Sequence, residues 1–233
     1  MTNSKKNRLA IIPARGGSKR IPGKNLRLFC GKPIVAYSIE CAEKSNLFDQ
    51  IHVSTDDDKI SSIAKNLGYQ PEFMRPPELA DDHTPLMAVL KYTVEKYEKI
   101  GENFEEIVLI MACAPLILPE DLVSAVKLLA STPKTNGVIS VCKFPAPIAR
   151  SYHMNYNSFL TPNFPEQMSL RSQDLLENYY DAGQFCVFPT PVIKASNGAG
   201  DYKNLIGHEL PPHRAVDIDT EDDWVLAEKL YNA

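Results

Sequence analysis

Short apolar runs alternate with longer amphipathic stretches along this chain, the succession that builds βαβ units and a mostly parallel sheet. Residues 9–14 form an apolar run ending at a glycine-bearing turn, which predicts a buried first strand. Helical spacing over 32–45, an apolar run at 51–54 and a second helical stretch over 57–67 follow. Asp57 and Asp58 suit the cap of that second helix, and Gly68 can end it in the left-handed conformation. The next helix is punctuated by Thr84 as cap, Pro85 at the first position and Gly101 as stop. The strongest strand signal is 107–112; Pro119 then opens a helix to residue 130, and 137–141 is another strand. A strand at 184–188 and a helix over 220–231 complete the pattern, with Thr220 and Asp223 resembling a capping box that uses Asp in place of Glu.

Between residues 144 and 182 this rhythm breaks. Pro145, Pro147, Pro162 and Pro165 fall there among many Asn and Tyr residues, with little helical periodicity. Such an insertion in an α/β domain covers a substrate or contacts another subunit. A single domain over 1–233 with this inserted element accounts for the whole pattern.

Composition narrows the class. With 233 residues, 44% hydrophobic and 23% charged, the chain is ordinary globular material rather than disordered. Its 25 Lys and Arg against 29 Asp and Glu give a net charge of -4, without the global basic field expected of a duplex nucleic-acid binder. The longest uncharged apolar run, 107–118, falls short of the ~20 residues of a membrane span. Lys5, Lys6 and Arg8 precede only a brief apolar stretch before Pro13 and Arg15, which does not fit a secretory leader. Five cysteines with no C-x-x-C pair argue against a disulfide framework or zinc knuckle and read as packing residues. The expectation is a soluble cytoplasmic protein. Trp224 reads as a core anchor.

The most informative segment runs from Arg15 through Gly16, Gly17, Ser18, Lys19 and Arg20 to Lys24 and Asn25. It follows a strand directly, at the edge where open α/β sheets bind ligands. Gly16 and Gly17 let the backbone turn so that successive N–H groups can converge on an anion. Arg15, Lys19, Arg20 and Lys24 set four cations within ten residues, matched to a ligand with several negative charges. The spacing is neither G-x-x-x-x-G-K-[ST] nor G-x-G-x-x-G, so a P-loop and a dinucleotide fingerprint are both excluded. A triphosphate cradle fits these residues, and a solvated basic turn is the plainer alternative.

This segment resembles the nucleotide-binding signature of the cytidylyltransferases that activate nonulosonic (nine-carbon, sialic-type) acids. Val53-Ser54-Thr55-Asp56-Asp57 is similar to that family's second-strand motif, and Arg75-Pro76-Pro77-Glu78-Leu79-Ala80-Asp81-Asp82 to its Arg-Pro-x-x-Leu-Ala-x-Asp segment. Asp217-Ile218-Asp219 resembles its metal-binding Asp-x-Asp. Four motifs in matching order carry the resemblance across most of the chain. It implies a Rossmann-like, mostly parallel sheet flanked by helices, of the nucleotide-diphospho-sugar transferase type, with the insertion serving the sugar site and a homodimer contact. It also implies CTP as co-substrate, Mg²⁺ as cofactor and a bacterial surface or flagellar glycan as destination.

By the same resemblance Arg15 and Lys24 contact the phosphates and stabilise the transition state. Gly16, Gly17 and Ser18 cradle the leaving pyrophosphate with Lys19, while Asn25 and Arg75 help hold the nucleotide. Asp217 and Asp219 carry the metal, Asp219 also entering the catalytic set. Spacing agrees, since residues two apart in an extended segment share a face, with Cα atoms ~6.5–7 Å apart, and Ile218 would turn into the core. Asp219 could instead simply terminate a strand before the Thr220-capped helix. His83 either approaches the nucleotide or is structural.

On the sugar side the chain departs from the sialic acid enzymes. Where those carry Gln on the central strand, this chain has Met111 within Ile110-Met111-Ala112-Cys113-Ala114-Pro115. A thioether lacks the amide's donors and suits a methyl or other apolar substituent. Arg171-Ser172-Gln173-Asp174-Leu175 and Tyr179-Tyr180-Asp181-Ala182-Gly183-Gln184-Phe185 resemble the family branch acting on pseudaminic acid, as does Ala80-Asp81-Asp82-His83-Thr84. Arg171 suits a sugar carboxylate through its bidentate fork, or alternatively a subunit interface. Gln173, Tyr180 and Asp181 are candidate partners for hydroxyl and amide groups, with Tyr180 equally suited to packing. Sialic, legionaminic or deoxyoctulosonic acid as substrate, and a CTP sensor without turnover, are the competing readings.

Overall fold

The structure, a computed structural model, describes residues 7–132, 135–197 and 203–233; Lys5 and Lys6 lie outside them. A six-stranded sheet forms the centre, built from β1 (Arg8–Pro13), β4 (Gln50–Ser54), β5 (Glu106–Ile110), β6 (Gly137–Lys143), β9 (Tyr179–Pro189) and β10 (Leu205–Glu209). Its order is β10-β6-β9-β5-β1-β4, with β9 antiparallel to both neighbours and the other strands running the same way. Two small hairpins lie outside it, β2 (Leu28–Phe29) with β3 (Lys32–Pro33), and β7 (Tyr152–Met154) with β8 (Leu160–Pro162).

Alternation along β1 shows why its sequence is an unbroken apolar run. Ala10 and Ile12 face the cluster built by α1 (Ile34–Ser45), α2 (Asp58–Asn66) and α4 (Pro119–Ser131). Leu9 and Ile11 face the opposite cluster, with α3 (Leu86–Lys99) and α5 (Thr190–Ala195). A strand covered by helices on both faces needs apolar side chains at every position. A third cluster packs α6 (Glu221–Tyr231) on the first hairpin, where Trp224 is buried against Phe29.

Several punctuation residues act as the sequence predicts. Asp57 Oδ1 accepts from the Lys59 and Ile60 amides at the start of α2, and Gly68 follows that helix with φ 89°. Thr220 and Asp223 form a reciprocal capping box on α6. Thr84 does not cap α3, which begins at Leu86 after an extended Pro85. Asp81 intervenes: its Oδ1 accepts from the His83 and Thr84 amides and from the Thr84 hydroxyl, so Thr84 is spent on a turn. Helix α1 starts two residues later than its periodicity suggests, because Lys32 and Pro33 pair with the preceding strand around Cys30 and Gly31, both at positive φ. Cys30 is exposed there, unlike the packing role its context predicts.

Strand β9 begins at Tyr179, so Tyr179, Tyr180 and Asp181 belong to the sheet, opposite Lys143, Cys142 and Val141. The chain therefore leaves β6 and re-enters β9 at one edge, and the loop structure of the insertion occupies 144–178. Strand β10 and helix α5 have no signal in the periodicity; β10 reads Leu-Ile-Gly-His-Glu and is completed by pairing with β6.

His52 of β4 is buried between Phe73 and the Tyr97 ring, with the Tyr97 hydroxyl 3.2 Å from its Nδ1. Burial, reinforced by the Arg75 charge, pushes its pKa down from 6.5 to about 3. The folded state therefore binds a proton less readily than the unfolded chain, and stability falls as the pH drops through 6.5 toward 3. The Tm of the wild-type protein should decline between pH 6.5 and about pH 5 with a His52 contribution of up to ~1.4 kcal/mol per pH unit. A His52→Phe variant should show a flatter profile in thermal melts; an unchanged slope would contradict the assignment.

Candidate active site

The ends of β1 and β5 open onto a cleft of about 530 Å³. Its walls carry Arg15, Ser18, Lys19, Arg20, Lys24 and Asn25 from the loop after β1, and Met111, Ala112 and Cys113 from the end of β5. Arg75, Asp82 and Leu86 close one side, and Asp217 and Asp219 another. The sheet edge thus brings the cation cluster and the carboxylate pair to one place.

The loop after β1 is held by its own backbone and by acidic side chains. The Gly16 amide donates to Asp56 Oδ1 at 3.0 Å, and the Ser18 amide to the Gly16 carbonyl at 3.1 Å. Asn25, buried, donates from Nδ2 to the Arg15 carbonyl at 2.9 Å. The Ser18 amide is thus engaged inside the loop and the Gly16 amide by Asp56 beyond β4, and the loop faces the cleft chiefly with its cationic side chains. Gly16 is required by contact, since a Cβ there would lie 2.7 Å from Asp57 Oδ2. A Cβ on Gly17 would meet nothing within 4 Å.

Each cation has a defined partner. Arg15 Nη1 pairs with Asp82 Oδ1 at 2.7 Å, and Lys19 pairs with Asp82 Oδ2. Arg20 Nη1 lies 2.7 Å from Asp219 Oδ2. Lys24 Nζ donates to the Ile218 carbonyl at 2.7 Å and lies 3.5 Å from Asp219 Oδ1. Arg75 is buried, its guanidinium donating to the Ser54 carbonyl and to Ser54 Oγ. Desolvation pushes Arg75 down to about 10, so it stays cationic at neutral pH.

Residues 217–219 belong to no strand, yet the alternation read from the sequence holds: Ile218 is buried with Ile21 and Trp224, while Asp217 and Asp219 line the cleft. Gln184 Nε2 donates to the Val216 carbonyl at 3.1 Å, and Asp223 Oδ2 accepts from the Asp219 amide at 3.1 Å. Desolvation, then the charge of Asp219, raises the Asp217 carboxyl above its ordinary value. Among the described residues no group of three or more His, Cys, Asp or Glu side chains gathers as a metal cage. Two carboxylates open to one cleft nevertheless fit Mg²⁺, which takes few protein oxygens and completes its shell with water and phosphate.

On the sugar side, Met111 lines the cleft, its carbonyl accepting from Ser38 Oγ at 2.7 Å. The other candidates do not line it. Arg171 is exposed and pairs with Asp174 at 2.8 Å. Gln173 borders a separate hollow with Phe144 and Pro147. Tyr180 packs edge-on against Phe144, and Asp181 accepts from the Gly183 amide. His83 is exposed on the turn built by Asp81. The motifs quoted from the sequence contain Asp56 and Asp82 without giving either a role, and Cys113, read there as a packing residue, lines the cleft; adjacent Asp81 and Asp82 give no sign of which one faces it. Desolvation raises the Cys113 thiol, which removes it as a thiolate nucleophile.

The fold is that of CMP:2-keto-3-deoxy-manno-octonic acid synthetase complexed with CTP, with a TM-score of 0.71 at 17% identity over 97% of this chain and 98% of that one. At that identity the likeness concerns architecture alone: an α/β fold with a mostly parallel central sheet flanked by helices. The pseudaminic acid cytidylyltransferase of Campylobacter jejuni subsp. jejuni serotype O:2 is 34% identical over 96% of this chain and 95% of its own length. The CMP-N,N'-diacetyllegionaminic acid synthase of Legionella pneumophila is 28% identical over 95% of each. Residues 9–186 match the cytidylyltransferase family, and the chain belongs to it.

The contact at Gly16 generates a stability prediction. Gly16→Ala must displace Asp57 from the α2 cap and should cost on the order of 1–2 kcal/mol, whereas Gly17→Ala should stay within ~0.5 kcal/mol of wild type. Thermal denaturation of the two variants checks this, and equal losses would count against it.

Proposed function

We propose that this enzyme converts CTP and pseudaminic acid to CMP-pseudaminic acid and pyrophosphate. The observation that carries the reading is the convergence of Arg15, Lys19, Arg20 and Lys24 with Asp217 and Asp219 in one cleft, in a chain 34% identical to a pseudaminic acid cytidylyltransferase. The sugar 2-hydroxyl attacks the α-phosphorus in line; the new O–P bond forms as the bond to the β-phosphate oxygen breaks, and the hydroxyl proton is lost. Charge accumulates on phosphate oxygens, so positioning and neutralisation do most of the work.

Arg15, Lys19 and Lys24 hold the phosphates, with Gly16, Gly17 and Ser18 shaping the loop that presents them. Arg15 and Lys24 bear on the reacting phosphate. Buried Arg75 and the Asn25-braced loop orient the nucleotide. Asp217 and Asp219 would hold Mg²⁺, which when bound supplies a further counter-charge for phosphate oxygens. Asp219 must loosen its pairs with Arg20 and Lys24 to do so, which frees both cations for phosphate. Met111 offers an apolar contact to a sugar that bears a methyl group at C9.

Arg171, Gln173, Tyr180 and Asp181 contribute to the sugar site through a homodimer in which the insertion of one protomer reaches the cleft of its partner. Support comes from topology and exposure. The insertion projects from the sheet edge that carries the cleft, and it leaves Tyr156 94% and Leu176 86% exposed. Among the described residues no helix is long and apolar enough to cross a membrane, and all five cysteines are free; we place the enzyme in the cytoplasm.

The test is pyrophosphate release with CTP and Mg²⁺, offering pseudaminic, N-acetylneuraminic, legionaminic and deoxyoctulosonic acids in parallel. Pseudaminic acid should give the highest kcat/KM; another preference would overturn the substrate, and CTP binding without release on any acid would favour a sensor. Met111→Gln should shift relative kcat/KM toward N-acetylneuraminic acid by about tenfold, the scale of one apolar-for-polar contact. Mixing Lys24→Ala with Arg171→Ala protein should restore activity absent from either alone, and no restoration would place Arg171 outside the partner's site.

A further inference from the structure

Asp82 makes an unusual use of the phosphate-facing cations. Its Oδ1 lies 2.7 Å from Arg15 Nη1 and its Oδ2 contacts Lys19, so one carboxylate bridges two cations from the loop after β1. A phosphate group presenting two unesterified oxygens would take the same pair of donors. The guanidinium edge and the ammonium cannot serve both anions fully at once. Asp82 lines the cleft itself, so its charge also acts directly on any polyanion held there.

The neighbouring Asp81 leaves Asp82 free for this role. Asp81 Oδ1 takes the His83 amide, the Thr84 amide and the Thr84 hydroxyl, and so builds the turn alone. Lys19 and Arg15 hold the Asp82 carboxyl below the ordinary range, keeping it ionised at neutral pH. Replacing Asp82 therefore removes a cleft charge while the turn and its hydrogen bonds stay.

A cleft with this many cations faces a release problem, because whatever holds the triphosphate also holds the pyrophosphate it yields. We propose that Asp82 is a built-in competitor for the pyrophosphate subsite, re-pairing with Arg15 and Lys19 as pyrophosphate departs and so weakening product binding. This rests on reading the cleft as a phosphate site.

Titration calorimetry with inorganic pyrophosphate tests it on the wild type, Asp82→Asn and Asp81→Asn. Asp82→Asn should bind pyrophosphate about fivefold more tightly, the scale of losing a pair of partly exposed ion pairs, with uncharged cytidine unaffected. Pyrophosphate should also inhibit this variant at correspondingly lower concentration in the forward assay. Asp81→Asn should lower Tm without tightening binding. Equal or weaker pyrophosphate binding by Asp82→Asn overturns the inference, as does an equal tightening toward cytidine. If wild type and variant both fail to bind pyrophosphate, the phosphate reading of the cleft falls, and the inference with it.

Discussion

Strand β1 is covered on both faces, and the cleft depends on that coverage. Leu9, Ile11 and Ile12 are fully buried, each contributing on the order of 1.5–3 kcal/mol through removal from water. Hydrogen bonding to β4 on one side and β5 on the other fixes the strand's register. A strand so constrained delivers residues 14–27 to the sheet edge without freedom to drift. The four cations of that loop can then be long and flexible, because the backbone that carries them is not.

The acidic side chains that hold this loop come from distant parts of the chain, Asp56 on the Gly16 amide and Asp82 and Asp219 on the cations. Asp56 sits at the end of β4, Asp82 in the turn before α3, and Asp219 at the entrance to α6. Each is placed by an element with its own reason to be there: Asp81 shapes the turn behind Asp82, and buried Ile218 with the Thr220–Asp223 box sets Asp219. The result is a cleft in which opposite charges alternate and desolvation raises the Asp217 carboxyl above its ordinary value. Such a surface can exchange internal counter-ions for phosphate oxygens at modest cost, since each pair is partly exposed.

The reversed strand β9 links this cleft to the insertion. Because β9 runs against β5 and β6, its first residues lie at the same edge as their ends, and Gly183 and Gln184 back onto the segment bearing Asp217. Tyr180 and Asp181, at the start of β9, are thereby tied to the edge that carries the cleft through one continuous strand. Arg171 and Gln173, earlier in the insertion, lie off the cleft.

By itself the sequence determined what depends on local pattern: the apolar runs of strands buried on both faces, the amphipathic helices, the caps at Asp57 and Thr220, and the clustering of cations beside adjacent glycines. Motif order also identified the family, because phosphate chemistry demands particular residues at fixed spacing from a strand end. Tertiary structure alone decided what depends on partners far along the chain. Strand β10 exists because β6 offers it a ladder, and Gly16 is needed because Asp57 packs on it. The same reason governs the site: Asp82 and Asp219 reach the cations across more than sixty and nearly two hundred residues of chain. Ion pairing at that separation is set by how the sheet brings strand ends together, and no periodicity along the chain records it.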